Sequence, residues 1–246
     1  MRLIPAIDLK AGHCVRLLQG NFDTETRYSD DPHGLLAHYR DIGADWLHVV
    51  DLDGARDGNL DNQAIIVQLA AQHAVKLQVG GGLRNTASLA QMLEAGIARV
   101  VVGSAAVLQV EQVRAWLEHF GAERLTLAFD IRMDQAGVPR VATHGWQRQS
   151  DVTLWSAVDN YTASELMHVL CTDVDRDGAL SGPNVALYAQ AVERYPQIEW
   201  QASGGIRDAR DLHALAQAGA AAAISGKALL EELIPREDLQ PFLPNA

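Results

Sequence analysis

The second half of this 246-residue chain repeats the first at a fixed offset. Gly81-Gly82-Leu83-Arg84 returns 123 residues later as Gly204-Gly205-Ile206-Arg207, Ala95-Gly96 as Ala218-Gly219, and Gly103-Ser104-Ala105 as Gly226-Lys227-Ala228. Between 81–106 and 204–229, 9 of 26 aligned residues are identical, which marks two copies of one unit. Asp8 in IPAID and Asp130 in LAFD, each closing an apolar run, stand 122 apart. Solenoid repeats run roughly 20–50 residues, so this period is too long for one. It describes two half-domains, each with a carboxylate and an anion cradle, and so a two-fold site for a substrate with two phosphates.

Eight short apolar runs predict strands at 3–9, 46–52, 76–80, 99–103, 125–131, 167–172, 199–203 and 222–226. Most are continuous rather than alternating, as strands buried on both faces of a parallel sheet are. Between them lies helical spacing: Leu35-Leu36-Tyr39-Ile42 before Gly43, Leu89-Met92-Leu93 before Gly96, Val110-Val113-Trp116-Leu117 before Gly121, and Leu212-Leu215-Ala216 before Gly219. A glycine just past the last turn is the expected helix stop. Strand then helix, eight times over, predicts an α/β fold: one (β/α)8 barrel domain over 1–246, made of half-barrels at about 1–123 and 124–246. An open doubly wound sheet is the alternative, and the half-by-half repeat favours closure. Two inserts, 10–34 and 133–151, follow the first and fifth strands. Both therefore lie at the C-terminal face, where this fold places its chemistry. They are expected as long irregular loops over opposite ends of a substrate, with a small hairpin added at 138–143.

A net charge of −11 argues against nucleic-acid binding, which needs basic patches. It does not exclude an anionic substrate, because backbone N–H groups at helix N-termini bind phosphate without a net positive protein. Cys14 and Cys171 have neither metal-ligand nor CxxC spacing and read as free thiols of a reducing cytosol. The start MRLIPAIDLK has no signal-peptide core, and no apolar run approaches the ~20 residues that span a bilayer. A cytoplasmic monomer acting on a small molecule, with no membrane or nucleic-acid partner, is expected.

The glycine pairs Gly81-Gly82 and Gly204-Gly205 follow the third and seventh strands, and Gly103-Ser104 and Gly226-Lys227 the fourth and eighth. The position after strands seven and eight is the usual phosphate site of this barrel, and the half-offset copy places a second one opposite. The plainer reading is a set of tight turns. Asp8 and Asp130, with no obvious neighbouring cation, can divide acid and base work if their surroundings split their pKa values. The plainer reading there is a helix cap or a rim salt bridge. Asp51, Asp53, Asp173, Asp175 and Asp177 crowd the ends of the second and sixth strands. They lack the His or Glu partners of a metal site, and Arg56 and Arg176 are equally plausible partners. Thr172 either assists proton transfer or is there for its β-propensity. Trp146 (in HGWQRQ) anchors its loop or stacks on a flat base; Arg16 is a surface charge or a clamp. The only lysines are Lys10, Lys76 and Lys227, which disfavours Schiff-base chemistry, and GxGxxG after a strand and HExxH are both absent. His48 and His168 sit inside strands as packed residues.

Taken in order, IPAIDL, HVVDLDGA, QVGGGLR, VVVGSAA, CTDVDRDGALSGPN and SGGIR resemble the phosphoribosylformimino-5-aminoimidazole carboxamide ribotide (ProFAR) isomerases of histidine biosynthesis along the whole chain. The resemblance implies a (β/α)8 barrel that performs an Amadori rearrangement of an aminoaldose carrying a phosphate at each end. No metal or redox cofactor is implied. It places the proton acceptor at Asp8 and the donor at Asp130, with Thr172 assisting and Asp177 competing for one of the two roles. Arg16 and Trp146 match mobile-loop residues that close over substrate. The sister barrel, the cyclase subunit of imidazole glycerol phosphate synthase, shares the repeat and both aspartates, but its first strand reads like CLDV. A dual-substrate isomerase that also serves tryptophan biosynthesis differs in a few loop residues. A non-enzymatic phosphosugar-binding barrel is the remaining alternative.

Overall fold

The computed structural model describes the whole chain apart from residues 19, 59–60, 73–74, 144–145, 147 and 246. The chain opens with β1 (Arg2–Lys10), β2 (His13–Leu18), β3 (Asn21–Ser29) and α1 (Pro32–Asp41). Then come β4 (Trp46–Asp51), α2 (Leu52–Asp57), α3 (Gln63–Ala71), β5 (Lys76–Gly80), α4 (Thr86–Glu94), β6 (Arg99–Val102), α5 (Ala105–Leu108) and α6 (Val110–Phe120). The second half has β7 (Leu125–Met133), β8 (Pro139–Thr143), β9 (Arg148–Thr153), α7 (Leu154–Asp159), β10 (His168–Asp173) and α8 (Val185–Arg194). It ends with β11 (Glu199–Ser203), α9 (Ala209–Gln217), β12 (Ala222–Ser225), α10 (Lys227–Leu230) and α11 (Arg236–Leu239).

Eight of these strands pair in parallel around a ring, β1-β4-β5-β6-β7-β10-β11-β12. The β12–β1 pair, Arg2↔Ala222 to Pro5↔Ser225, closes it. The fold is a single (β/α)8 barrel, and its eight strands coincide with the eight apolar runs. α1, α4, α6 and α9 each stop beside the glycine that the spacing marks, at Gly43, Gly96, Gly121 and Gly219.

Alternate residues of each strand face opposite ways. On β1, Leu3, Ile7 and Leu9 join the large core under the helices, while Ile4 and Ala6 join a smaller cluster inside the ring with Trp46, Val101, Leu170, Ala222 and Ile224. Both faces are apolar because both are covered, which is why the strands read as continuous runs. One interior layer is polar: Gln78 and Gln201, themselves 123 apart, bond amide to amide at 2.8 and 3.1 Å. Among the described residues no helix is long and apolar enough to cross a membrane.

The inserts depart from the expected irregular loops. Residues 10–34 form an antiparallel ribbon. β2 folds back on the overhang of β1 (Asp8↔Val15, Lys10↔His13), and β3 pairs with β2. Its outer strand NFDTETRYS is largely polar and exposed, so it carries no apolar signal; backbone pairing with β2 and side-chain ties build it instead. Those ties include Lys10 to Glu25, and Tyr28 Oη to Glu231 at 2.7 Å. The second insert holds the expected hairpin strand as β8, antiparallel to β7, and a further strand, β9, paired with β8.

Candidate active site

Two matching clamps shape the strand ends. Asp51, at the end of β4, accepts bonds from Gly54 N (3.0 Å) and from Asn62 Nδ2 (2.7 Å). Asp173, at the end of β10, accepts one from Asn184 Nδ2 at 2.8 Å. Asn62 also holds Asp53 (2.9 Å), and Asp53 takes the N–H of Ala11 (2.6 Å) at the tip of the β1–β2 turn. Arg176 turns to Asp173 and to the Gly182 carbonyl, and Arg56 to Asp57. These acidic runs thus pin loops, and among the described residues no group of His, Cys, Asp and Glu is arranged to hold a metal.

The double-glycine loops run directly beneath these clamps. Gly81 and Gly204 have φ of +106° and +97°, where a side chain is strained. A Cβ on Gly81 would strike the Asp51 carbonyl, and one on Gly204 would come within 2.7 Å of the Asp173 carbonyl. Gly82 and Gly205 lie as closely against the carbonyls of Gly54 and Gly182. Gly103 instead faces open space, with Ser104 exposed beside it. A Cβ on Gly226 would meet the Arg16 guanidinium at 2.8 Å. Gly178, Gly204, Gly205, Ser225, Gly226 and Lys227 line a cavity with Arg16 at its side. Lys227 Nζ donates to the Gly178 carbonyl at 3.1 Å. Ser225 Oγ and Arg16 Nε are buried there with no hydrogen-bond partner among the described residues.

The expectation that Asp8 lacks a nearby cation does not hold. The turn at Ala11-Gly12 lays β2 along β1 and brings Arg16 back across the barrel mouth. Its Nη1 lies 3.1 Å from Asp8 and its Nη2 3.0 Å from Asp177, all three largely buried. Burial pushes the Asp8 carboxyl up from its ordinary value, the Arg16 charge pulls it back, and the nearby Asp177 charge pushes it up again. For Arg16, burial disfavours the cation, but Asp8 and Asp177 outweigh it and its pKa rises.

Asp130, on β7, has no cation against it among the described residues. Its Oδ2 accepts the indole N–H of Trp146 at 2.7 Å, and Thr172, its register neighbour on β10, hydrogen-bonds it as well. Burial raises its pKa, the two neutral donors lower it, and the Asp177 charge raises it. Asp177 therefore acts on both other carboxylates. Of the HGWQRQ segment, His144, Gly145 and Gln147 lie outside the described residues. His48 and His168 are buried in their strands, and burial lowers each to about 4. Cys14 and Cys171 are buried free thiols.

Ser225, Gly178 and the two Asp–Asn clamps also belong to the site, though nothing in the sequence motifs singled them out. The clamps were within reach, because Asn62 and Asn184 stand 122 apart like the aspartates they hold. Ser225 carried no signal: its counterpart 123 residues earlier is Val102.

Residues 2–235 match the model of a family described as "Histidine biosynthesis protein". Curated relatives are named 1-(5-phosphoribosyl)-5-((5-phosphoribosylamino)methylideneamino) imidazole-4-carboxamide isomerase. The one from Cronobacter sakazakii is 48% identical, and the one from Psychromonas ingrahamii 47%. Each alignment covers 93% of this chain and 94% of the relative. The Vibrio vulnificus relative is 45% identical over 96% of both chains.

Proposed function

This chain belongs to the histidine biosynthesis protein family, and we propose from that premise that it isomerises the aminoaldose ProFAR to its aminoketose. It is an intramolecular oxidoreductase of the aldose–ketose type, acting by acid and base catalysis. The observation that carries the chemistry is the unequal setting of two carboxylates at one barrel mouth, Asp8 buried and Asp130 half-buried. Among the described residues, Asp8 faces a full cation, whereas Asp130 faces only neutral donors. Such a split suits one group for the anionic role and the other for the protonated role.

The steps follow from the substrate. Asp130 in its acid form protonates the furanose ring oxygen; the C1–O bond breaks and the glycosylamine nitrogen lone pair forms the iminium. Asp8 as carboxylate takes the C2 proton, and those electrons make the enolamine. Proton return at C1 and loss of the O2 proton give the ketose. Thr172 steadies Asp130. Asp177, which shares Arg16 with Asp8, is the competitor for one of the two roles. The Gly204-Gly205 and Gly226-Lys227 loops take one phosphate, and the Gly81-Gly82 and Gly103-Ser104 loops the other. Arg16 and Trp146 cover the substrate between them, and Arg176 supports the Gly205 loop through the Gly182 carbonyl. The protein works in the cytoplasm on this small molecule.

Turnover of ProFAR by the purified protein alone tests the reading. Ketose formation without added cyclase–glutaminase is expected. No conversion, with consumption of the ketose and ammonia instead, would assign the chain to the sister cyclase.

A further inference from the structure

Among the described residues, the two inserts meet over the candidate site at Gly20. Gly20, at the turn between β2 and β3, lies under the Trp146 ring. A Cβ on it would fall 2.5 Å from Trp146 Cε3, 2.9 Å from Cζ3 and 3.2 Å from Cδ2. Those are ring atoms of a side chain fixed at its other edge, since the indole N–H is bonded to Asp130. Trp146 itself has φ +71°, a left-handed conformation that a bulky residue adopts only when its surroundings impose it. Three constraints do so here: Arg132 Nη1 on its carbonyl at 2.9 Å, Asp130 on its indole, and Gly20 beneath its ring.

The seat is held in turn by the barrel. The ribbon backbone at Leu17 runs so close to Gly178 that a Cβ there would lie 3.2 Å from the Leu17 carbonyl. Tyr28 ties the outer strand to Glu231. Gly20 is thus a fixed surface, and a strained tryptophan leans on it while bonding Asp130.

We propose that Gly20 is a positioning residue for the reaction: its missing side chain is the seat that holds the Trp146 indole against Asp130. This rests on the isomerase reading. A side chain at position 20 lifts the ring, breaks the bond to Asp130 and uncouples the two inserts, while the barrel below is untouched.

The test compares Gly20→Ala, Gly20→Asn and Trp146→Phe with the parent in ProFAR turnover across pH, and repeats Gly20→Ala in a Trp146→Ala background. Asparagine accepts a left-handed φ but carries a Cβ, so both substitutions at 20 are expected to lower kcat/KM about tenfold or more, chiefly through kcat, with thermal melting near the parent's. Losing the indole donor raises the pKa of Asp130. With Asp130 as the acid, the alkaline limb of the rate profile moves to higher pH in Gly20→Ala, as in Trp146→Phe. In the Trp146→Ala background the clash is gone, and Gly20→Ala adds less than about a twofold loss. An inactive parent overturns the isomerase reading and this proposal with it. An active parent matched by Gly20→Ala, a parent-like Gly20→Asn, or an undiminished loss in the Trp146→Ala background overturns this proposal alone.

Discussion

The carboxylates at the barrel mouth differ in what faces them, and that difference sets their behaviour. Asp8 is stabilised as an anion by a guanidinium 3.1 Å away, whereas Asp130 has an indole N–H and a threonine hydroxyl. Positioned acid–base groups contribute about 10²–10⁴-fold to a rate. Asp8→Asn and Asp130→Asn are each expected to lower kcat by that order while substrate still binds; calorimetric titration beside steady-state kinetics checks both halves. Near-parental kcat in either variant removes that residue from the mechanism. Asp177→Asn separates the competing assignments. If Asp177 only tunes its neighbours, its loss removes a nearby negative charge, lowers the Asp130 pKa and shifts the alkaline limb to lower pH. If it is itself the acid, that limb disappears with the activity. Both aspartates were legible in the sequence as repeat-related strand ends. Arg16 was visible only as a clamp or surface charge, because the partners it bridges lie 8 residues before it and 161 residues after it.

At the scale of elements, the loops that follow the strands are built as pairs. Each Asp–Asn clamp fixes the carbonyl under which a double-glycine loop passes, so clamp and glycines form one device. In Asn184→Ala the Asp173 carboxylate loses a buried donor, which costs about 1–3 kcal/mol by urea unfolding. It also frees the loop over Gly204-Gly205, so KM rises more than kcat falls. Asn62→Ala is expected to do the same at the opposite cradle. An unchanged unfolding midpoint in both would show the clamps to be incidental. The apolar strands and their helix stops were readable, because burial on both faces and a terminal glycine leave local marks. The ribbon of residues 10–34 was not, since the polar strand β3 exists only through its pairing with β2.

Over the whole molecule, the halves are joined at the barrel axis through Gln78 and Gln201. Gln78 Oε1 also accepts from Thr126 at 3.0 Å and from Arg99 at 3.3 Å, and its amide reaches His48. Gln78→Leu leaves several of these groups unpaired in the buried interior, and each orphan costs about 1–3 kcal/mol. A urea midpoint unchanged from the parent would refute that accounting. His48 and His168 are each lowered to about 4 from about 6.5, so the folded chain binds fewer protons than the unfolded one between those values. Their contribution is fully present above about pH 6.5 and is lost as pH falls toward about 4. The melting temperature is expected to drop over that window, and by less in His48→Gln than in the parent. The sequence by itself determined the number of barrel strands, their order, the closed two-fold barrel and the residues at its strand ends. Those features rest on burial and on a 123-residue repetition that any reader of the chain can see. Tertiary structure alone decided that one arginine spans two carboxylates, that the acidic runs clamp loops, and that Gly20 underlies Trp146. Such contacts depend on distances across the barrel mouth, and those exist only after the ring has closed.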